Sequence, residues 1–400
     1  MSIEVSVILI AFNKYPQCLY SLYALECQTF DHSKMEVILV DDFSTDETPE
    51  LQNYQPPFRF KYIRPEKNVG RSKAKNIGIE SSEGDIIIFL DSEFLVDPNF
   101  IEAQYNYHQT DQLLAVSTCL NHYGVYTVFD THYPNIQKSH FRRIAKKGIK
   151  RLPEHAQRIV KKSLEGRADQ EKIGFFQKKD IENLSYQALA FPTPYIPEVI
   201  EVYGREFHNF HMPWMFVITH QLSVKRSVIN QIGLFYEGFD GYGVEDWEFG
   251  YRLYKHGVKI IDNEHGSIFH QEHPRNIGSD TWESDHNYLT FFKLYRDFDI
   301  GCYFLWRLGK DLYFINDTES EYRALCAQYP DQFQELKETF LRFFEVILEE
   351  TVSRRKVTNL VQISGLEQEI LERAFVQKKS LEEQNMYPHL TMAMDFILNL

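Results

Sequence analysis

Short apolar runs alternate with helical patterns over the first part of the chain. Four strands are predicted, at residues 5–11, 36–41, 59–63 and 85–90. Most of these runs are rich in β-branched residues and almost wholly apolar, which is typical of strands buried on both faces of a parallel sheet. Because parallel neighbours need a helix to return the chain, the alternation predicts βαβ units and a doubly wound, Rossmann-like α/β sheet.

The pattern then changes twice. Residues 126–212 combine a strongly basic segment with a proline-punctuated one, and predict an insertion of helices and loops rather than sheet. Residues 213–280 return to mixed α/β, with a helix predicted at 245–256 and a strand at 258–262. Residues 281–400 are rich in Leu, Phe and Glu and lack strand patterns, so we expect a C-terminal helical subdomain.

Composition restricts the classes of function. The 400 residues are 43% hydrophobic and 25% charged, as in soluble globular proteins, and the formal net charge of −14 argues against a protein that wraps nucleic acid. Five scattered cysteines without a C-x-x-C spacing predict neither a disulfide framework nor a zinc site, and favour a reducing compartment. The apolar N-terminal run is too short to cross a bilayer and has no basic leader. We therefore expect a cytoplasmic location, with peripheral membrane attachment and homo-oligomerisation left open.

Polar residues follow the predicted strands at their carboxyl ends, where α/β sheets bind ligands. Asn13 follows the first strand, Asp42 the second, and Asp91 and Glu93 the fourth. Carboxylates there suit a nucleotide, because they accept hydrogen bonds from base and ribose while a divalent cation bridges carboxylate and diphosphate. No glycine-rich phosphate loop follows the first strand, so we expect a metal to hold the diphosphate. Helix capping by Asp42 and a simple turn at 91–93 are the structural alternatives.

A second acidic cluster opens the helix predicted at 245–256. Two glycines before it permit close approach of a ligand to the backbone. Glu245, Asp246 and Glu248 then lie in the first helical turn, where the helix dipole keeps carboxylates ionised. An ionised carboxylate can accept a proton from a hydroxyl that attacks a sugar carbon. The alternative is that these acids only stabilise the helix.

A third cluster, FHQEHP at residues 269–274, follows an apolar stretch. A histidine there can complete an octahedral Mn²⁺ or Mg²⁺ site whose other ligands are a carboxylate and diphosphate oxygens. His270 is favoured over His273 because it lies nearer the predicted strand end. For either residue, a surface or core histidine without a ligand role is the alternative.

Taken in order, these motifs resemble the family 2 glycosyltransferases of the GT-A fold, over residues 3–125 and 213–275. The first half carries the resemblance in VSVILIAFNK, VILVDDFSTDET and NVGRSKAKNIGIESSEGDIIIFLDSE. The segment IGLFYEGFDGYGVEDWEFGYRLYKHG, with FHQEHP after it, is similar to the second-half motif of chondroitin-type polymerases and galactosyltransferase-like regions. The resemblance implies a metal-dependent hexosyltransferase that moves a sugar from a nucleotide-sugar donor, with UDP as nucleotide, to a glycan, lipid-linked or peptide acceptor.

The resemblance also implies roles for segments and residues. Residues 1–125 would be the nucleotide-sugar-binding half of the domain and residues 213–280 its acceptor and catalytic half. Asp246 would be the general base, supported by Glu245, with inversion at the anomeric carbon. The implied metal ligands are Glu93 and His270. The implied nucleotide contacts are Ala11, Asn13, Asp42, Arg71 and, at the ribose, Asp91.

The chain departs from the family pattern in places that keep alternatives open. The usual Asp-x-Asp is Asp91-Ser92-Glu93, and Tyr242 stands where tryptophan is commoner. The first departure is the support for a catalytically inactive nucleotide-sugar-binding protein, and a retaining glycosyltransferase is the alternative within the enzyme class. A nucleotidyltransferase is disfavoured because AFNKYPQ replaces its basic glycine-rich loop. The basic insertion is interpreted either as a solvated helix or as a face for an anionic glycan acceptor or a membrane.

Overall fold

A computed structural model describes residues 2–167, 170–274 and 279–400 of the chain, and gives the backbone alone for residues 279–282. The strands are β1 (Val5–Ala11), β2 (Met35–Asp41), β3 (Arg59–Ile63), β4 (Ile86–Asp91), β5 (Phe94–Val96), β6 (Leu114–Ser117), β7 (His122–Val125), β8 (Val128–Asp130), β9 (Lys172–Gly174), β10 (Ala190–Pro192), β11 (Gln221–Lys225), β12 (Lys259–Asp262) and β13 (Ile268–Gln271). The α-helices are α1 (Gln17–Glu26), α2 (Arg71–Ser81), α3 (Phe100–Tyr107), α4 (Asn135–Gly148), α5 (Glu154–Leu164), α6 (Lys178–Glu182), α7 (Pro197–Tyr203), α8 (Arg226–Ile232), α9 (Glu245–Lys255), α10 (Ser279–Tyr295), α11 (Phe298–Arg307), α12 (Leu312–Gln328), α13 (Gln334–Val352), α14 (Leu360–Ile363), α15 (Gln368–Glu383) and α16 (Pro388–Leu398).

The central sheet of the described chain has seven strands in the order β12-β6-β11-β4-β1-β2-β3. β1 to β4 run parallel, β11 runs antiparallel between β4 and β6, and β12 lies parallel to β6. β1 and β2 lie inside the sheet and are buried at nearly every position, as their apolar sequences require. The predicted α/β sheet is confirmed, and each of the four predicted N-terminal strands begins and ends within one residue of its expected position.

Strand register places three strand ends at one edge of the central sheet. Ala11 at the end of β1 pairs with Asp41 at the end of β2. Ile10 pairs with Asp91 at the end of β4. The loops that follow these strands therefore start side by side, at the edge where ligands bind in α/β sheets.

A smaller sheet, ordered β10-β7-β13-β5, joins segments that are far apart in sequence. β13 pairs antiparallel with β5, so that His270 lies opposite Phe94. The backbone N–H of Gln271 donates to the carbonyl oxygen of Glu93 at 2.9 Å. This sheet therefore carries the predicted histidine segment to the loop that contains Glu93.

The insertion contains the expected helices, α4 to α7, and three strands of three residues each that the sequence did not indicate. β8 pairs with β9, and β10 joins the smaller sheet. Strands this short are invisible to hydrophobic periodicity, which needs longer windows. Phe141 and Phe175 of the insertion belong to the same apolar core as β1. Residues 168–169 and 275–278, which fall within predicted segments, lie outside the described residues.

The described residues form two compact units. The first comprises residues 2–208, 214–238 and 245–274, and the second comprises residues 209–213, 239–244 and 279–400. Aromatic packing holds the helices of the second unit, as where Phe298 stacks on Tyr322 with ring centroids 3.7 Å apart. The C-terminal helical prediction is confirmed, while the segment boundaries at 125, 212 and 280 stay a prediction. Within the part of the chain that the structure describes, no helix combines the length and apolar character needed to cross a bilayer.

Candidate active site

Asn13 ties the loop after β1 to the loop after β2. Its backbone is left-handed, with φ of +56°, a conformation that asparagine tolerates better than most residues. The side-chain oxygen of Asn13 accepts a hydrogen bond from the Thr45 backbone N–H at 2.7 Å, and its own backbone N–H donates to Ser44 Oγ at 2.9 Å. The two loops thus form one rim, on which the Phe12 side chain is exposed.

Asp42 fixes the loop that leads into α2. Its two carboxylate oxygens accept hydrogen bonds from the backbone N–H groups of Val69 at 2.7 Å and Gly70 at 3.1 Å. Gly70 has φ of +83°, a conformation that favours glycine, and precedes the first helical residue, Arg71. Asp42 therefore orients the start of α2, and its predicted contact with a nucleotide base stays a prediction.

Lys75 of α2 holds the acidic start of α9. Its side chain is nearly buried, and its ammonium donates to Asp246 Oδ1 at 2.7 Å and to Glu245 Oε1 at 3.0 Å. Burial alone lowers the pKa of Lys75, but the carboxylates of Asp246, Glu245 and Asp91 raise it above its ordinary value. The lysine is therefore charged, and it anchors two acids that lie about 170 residues away in the sequence.

Asp246 is held ionised by its neighbours. Its Oδ1 accepts hydrogen bonds from Lys75 and from the hydroxyl of Thr219. Burial raises the pKa of Asp246, but Lys75 and then Thr219 lower it below its ordinary value. A carboxylate with these partners is ionised at neutral pH, as a proton acceptor must be.

Asp91 interacts electrostatically both with Glu93 and with Asp246 at the start of α9. Burial and the neighbouring Glu93 carboxylate raise the pKa of Asp91 to about 6, Arg71 and Lys75 oppose that rise, and Asp246 adds to it. The Asp91 backbone N–H also donates to the His220 carbonyl oxygen at 3.3 Å, and the adjacent Thr219 donates to Asp246, so the strand-end acids and the start of α9 lie close together in the first unit, in a region we call the cleft. Arg71 is exposed at the start of α2 and adds positive charge to this cleft.

A group with the composition of a metal site lies at the end of β4. Glu93, His270 and His273 each offer one ligand atom, and these atoms lie within 4.8 Å of one another. Two ligands of one ion lie at most about 4.4 Å apart when each bond is about 2.2 Å long, so small side-chain movements suffice. The structure brings His270 together with Glu93 as predicted, and it adds His273, which the sequence ranked second.

Both histidines have an acceptor near Nδ1, and His273 Nε2 lies 3.5 Å from Glu93 Oε1. His270 Nδ1 lies 3.4 Å from Glu272 Oε1, and His273 Nδ1 lies 2.9 Å from the carbonyl oxygen of Pro274. A proton on each Nδ1 leaves the Nε2 lone pair to bind a cation. Burial also lowers the pKa of His270, so the neutral form, which metal binding requires, is favoured.

Glu93 carries the negative charge of this cluster. Burial raises the pKa of Glu93, but Lys14 and the two imidazoles of His273 and His270 lower it well below its usual range. Lys14 Nζ lies 3.0 Å from Glu93 Oε1. The Lys14 ammonium therefore lies against Oε1 of Glu93 and attracts its negative charge.

Several residues of the cleft were not predicted. They are Lys14, Lys75, Thr219 and His220, the last of which stacks on Phe94 with ring centroids 4.8 Å apart. Glu248, by contrast, has a structural role, because it is buried and accepts a hydrogen bond from Arg252 Nε at 2.7 Å. Ala11 is fully buried, and its carbonyl oxygen accepts a hydrogen bond from the Asp42 backbone N–H at 2.8 Å. The roles that the resemblance implies for the predicted residues stay predictions.

Known proteins similar to this chain include two curated relatives. The family model described as "Glycosyl transferase family 2" matches residues 6–175. The Bacillus subtilis (strain 168) protein named uncharacterized glycosyltransferase YfnE is 30% identical over 284 residues, which is 69% of this chain and 67% of that protein. Validoxylamine A glucosyltransferase of Streptomyces hygroscopicus subsp. jinggangensis (strain 5008) is 26% identical over 283 residues, which is 68% of this chain and 58% of that protein.

Solved structures similar to the chain include S. aureus TarS 1–349 in complex with UDP-GlcNAc, with a TM-score of 0.48 and 14% identity over 96% of this chain and 93% of that one. The chain spans about two thirds of the first curated relative and 58% of the second. The family model covers the four parallel strands and the Asp91-Ser92-Glu93 motif. The resemblance seen in the sequence is therefore confirmed, and the chain belongs to glycosyl transferase family 2.

Proposed function

We propose that this chain transfers a hexosyl group from a UDP-sugar to a hydroxyl of a glycan, lipid-linked or peptide acceptor. The observation that carries the proposal is one cleft in which a charged, buried lysine holds two carboxylates while a carboxylate and two imidazoles converge beside it. The relative named as a glucosyltransferase supports transfer of a hexose. The strand-end residues Asn13, Asp42, Arg71 and Asp91 are assigned to the nucleotide.

The donor set of Glu93, His270 and His273 fits Mn²⁺ better than Mg²⁺. Mg²⁺ takes oxygen ligands in proteins, whereas first-row transition ions also accept imidazole nitrogen. A bound divalent ion would supply positive charge to the diphosphate as it leaves the sugar. Lys14, which lies beside Glu93, is placed to add a second positive charge to the same oxygens.

Asp246 is assigned as the general base of an inverting displacement. Its Oδ1 is used by Lys75 and Thr219, so Oδ2 is the oxygen that receives the acceptor's proton. As the proton leaves, the acceptor oxygen forms its bond to the anomeric carbon, and the bond from that carbon to the diphosphate oxygen breaks with its electron pair leaving on UDP. The proton on Asp246 passes to solvent after the product departs. Glu245 also accepts a hydrogen bond from Lys75. The one positive charge is therefore shared by two carboxylates and does not fully neutralise Asp246.

Release of nucleoside diphosphate from a panel of UDP-, GDP- and dTDP-hexoses tests this function. We expect release from one or a few UDP-sugars, its loss in EDTA, and stronger recovery with Mn²⁺ than with Mg²⁺. Tight UDP binding without turnover on any acceptor would instead show a nucleotide-sugar-binding protein. If EDTA does not change the release of nucleotide, the reaction needs no metal ion. If NMR shows that the product keeps the donor's anomeric configuration, the enzyme is a retaining one.

A further inference from the structure

The insertion carries a dense group of positive charge in an acidic chain. Residues 138–167 contain eleven Lys or Arg and two Glu, a formal charge of +9, whereas the whole chain carries −14. Ten of these basic residues are exposed. Seven of the ten form no side-chain hydrogen bond or ion pair among the described residues, and they define what we call the basic surface: Arg142, Arg143, Lys146, Lys147, Lys150, Arg158 and Lys161.

The apolar faces of α4 and α5 pack on the core and thereby fix which face of each helix is exposed. Phe141 and Ala145 of α4 are buried, and so are Ala156 and Val160 of α5. Residues at spacings of four lie on one face of a helix, so these pairs turn the same face of each helix to the core. The cations of the basic surface lie on the other faces of the two helices or just after α4, where they are exposed.

The basic surface has no internal charge compensation. Among the described residues, none of its seven side chains forms an ion pair, whereas elsewhere Arg296 pairs with Glu338 and Arg59 pairs with Glu83. Arg142 and Lys146 are like charges at positions i and i+4, an arrangement that destabilises a helix. The charge therefore works against the stability of the insertion, which indicates a role in binding.

α4 also begins beside the candidate metal cluster. Gln137, in its first turn, donates a hydrogen bond from Nε2 to Glu272 Oε2 at 3.1 Å and to the His273 carbonyl oxygen at 3.0 Å. With a rise of about 1.5 Å per residue, Arg142 lies about 8 Å and Lys147 about 15 Å along the helix from Gln137. The basic surface thus starts close to the cleft and leads away from it.

We propose that the basic surface binds an acceptor polymer that carries phosphate or carboxylate groups along its length, with one end of the polymer reaching the cleft. The proposal rests on the proposed function, since it names the class of acceptor. A row of unpaired cations matches a chain of repeated negative charges, and each neutralised contact releases counterions. A membrane is a poorer match, because a helix that lies on a bilayer inserts an apolar face, and here those faces are buried in the core. Ile136, which is 76% exposed, is the large apolar side chain that α4 presents to solvent.

Binding of fluorescein-labelled polyphosphate and polysialic acid, followed by anisotropy at several salt concentrations, tests the proposal. The test variant changes Arg142, Arg143, Lys146 and Lys147 to Gln, which preserves helix propensity. The control variant changes four exposed cations of the C-terminal helical unit to Gln: Arg354, Lys356, Arg373 and Lys379. Both variants alter the net charge equally, so a general electrostatic effect would act on both.

We expect the test variant to bind at least about tenfold more weakly at 0.1 M salt, with a salt slope shallower by about two to three, as the loss of three or four phosphate contacts predicts. The control variant should match the wild type. The better-bound probe shows whether phosphate or carboxylate is preferred. Equal losses in both variants, or none in the test variant, overturn the proposal. So does a test variant that keeps polymer binding but no longer pellets with phosphatidylglycerol vesicles.

Donor hydrolysis in water, measured on the same variants, separates this proposal from the proposed function. UDP release without an acceptor should be unchanged in the test variant, because none of its four positions lies in the cleft. A wild type that binds polymer but releases no nucleotide would contradict the proposed function. A wild type that hydrolyses donor but binds neither polymer would contradict the acceptor class alone.

Discussion

Replacing Lys75 with methionine tests how the candidate active site is held together. Methionine keeps the apolar stem of the side chain and removes the ammonium, which is buried and donates to Glu245 and Asp246. The variant therefore leaves two carboxylates without their shared cation. The Glu245 side chain is 4% exposed and that of Asp246 is 21% exposed, so water can compensate only in part, and mainly at Asp246.

The expected cost follows from the burial of these groups. Breaking a buried ion pair by removing one partner costs about 3–5 kcal/mol, and we expect about 3 kcal/mol here because Asp246 reaches some solvent. The effect depends on pH in a defined direction. Because Lys75 lowers the pKa of Asp246 below 3.8, the stabilisation is complete above about pH 4 and is lost as pH falls through the folded-state pKa. The difference in unfolding free energy between the wild type and Lys75→Met should therefore become smaller at acid pH.

Urea unfolding at pH 7 and at about pH 3, below the ordinary pKa of Asp246, measures these quantities, with Lys73→Met as a matched control. Lys73 lies on the same helix, is 53% exposed and sits 3.8 Å from Glu237, so its loss should cost less than about 1 kcal/mol. The acid limb of kcat/KM should also move to higher pH in Lys75→Met, because Asp246 loses the charge that keeps it ionised. Two variants with indistinguishable unfolding free energies at pH 7 would refute the reasoning.

Four further variants address other parts of the first unit. Glu93→Ala and His273→Ala should each weaken Mn²⁺-dependent UDP binding by about tenfold or more, measured by calorimetry across a Mn²⁺ titration, and an unchanged titration would remove that residue from the metal site. Asp42→Ala should lower the unfolding free energy by about 1–3 kcal/mol, because two backbone N–H groups lose their acceptor, and should raise the KM for donor; thermal unfolding and kinetics check both. Arg252→Met should destabilise by about 3 kcal/mol by removing the guanidinium that donates to buried Glu248, yet the kcat of the folded fraction should stay near wild type.

The fold was largely predictable because its strands follow a simple rule. β1, β2 and β4 are apolar at nearly every position, and strands of that kind are buried on both faces of a parallel sheet. The placement of acids at their carboxyl ends then followed from topology. The short strands of the insertion were not predictable, because three residues carry no period.

The partners of the site residues were harder to predict. Lys75 lies on the buried face of α2, where Ser72, Asn76 and Ile79 are also buried. Polar residues on the buried stripe of a helix were the available signal, since a buried lysine requires a charged partner. The sequence did not show which partner, because α9 lies far along the chain. His273 was ranked below His270 for a similar reason, since distance from a strand end says little about where a loop folds back.

The most direct test of the central claim is a comparison of kcat and UDP affinity in Asp246→Asn. Loss of a general base lowers the rate by about 10²–10⁴-fold, whereas the metal cluster and the nucleotide contacts remain. We therefore expect kcat to fall by that factor while the Kd for UDP with Mn²⁺ stays within about twofold of wild type. A variant that retains kcat within a few-fold, or that loses UDP binding in parallel, would contradict a cleft in which Asp246 takes the acceptor's proton.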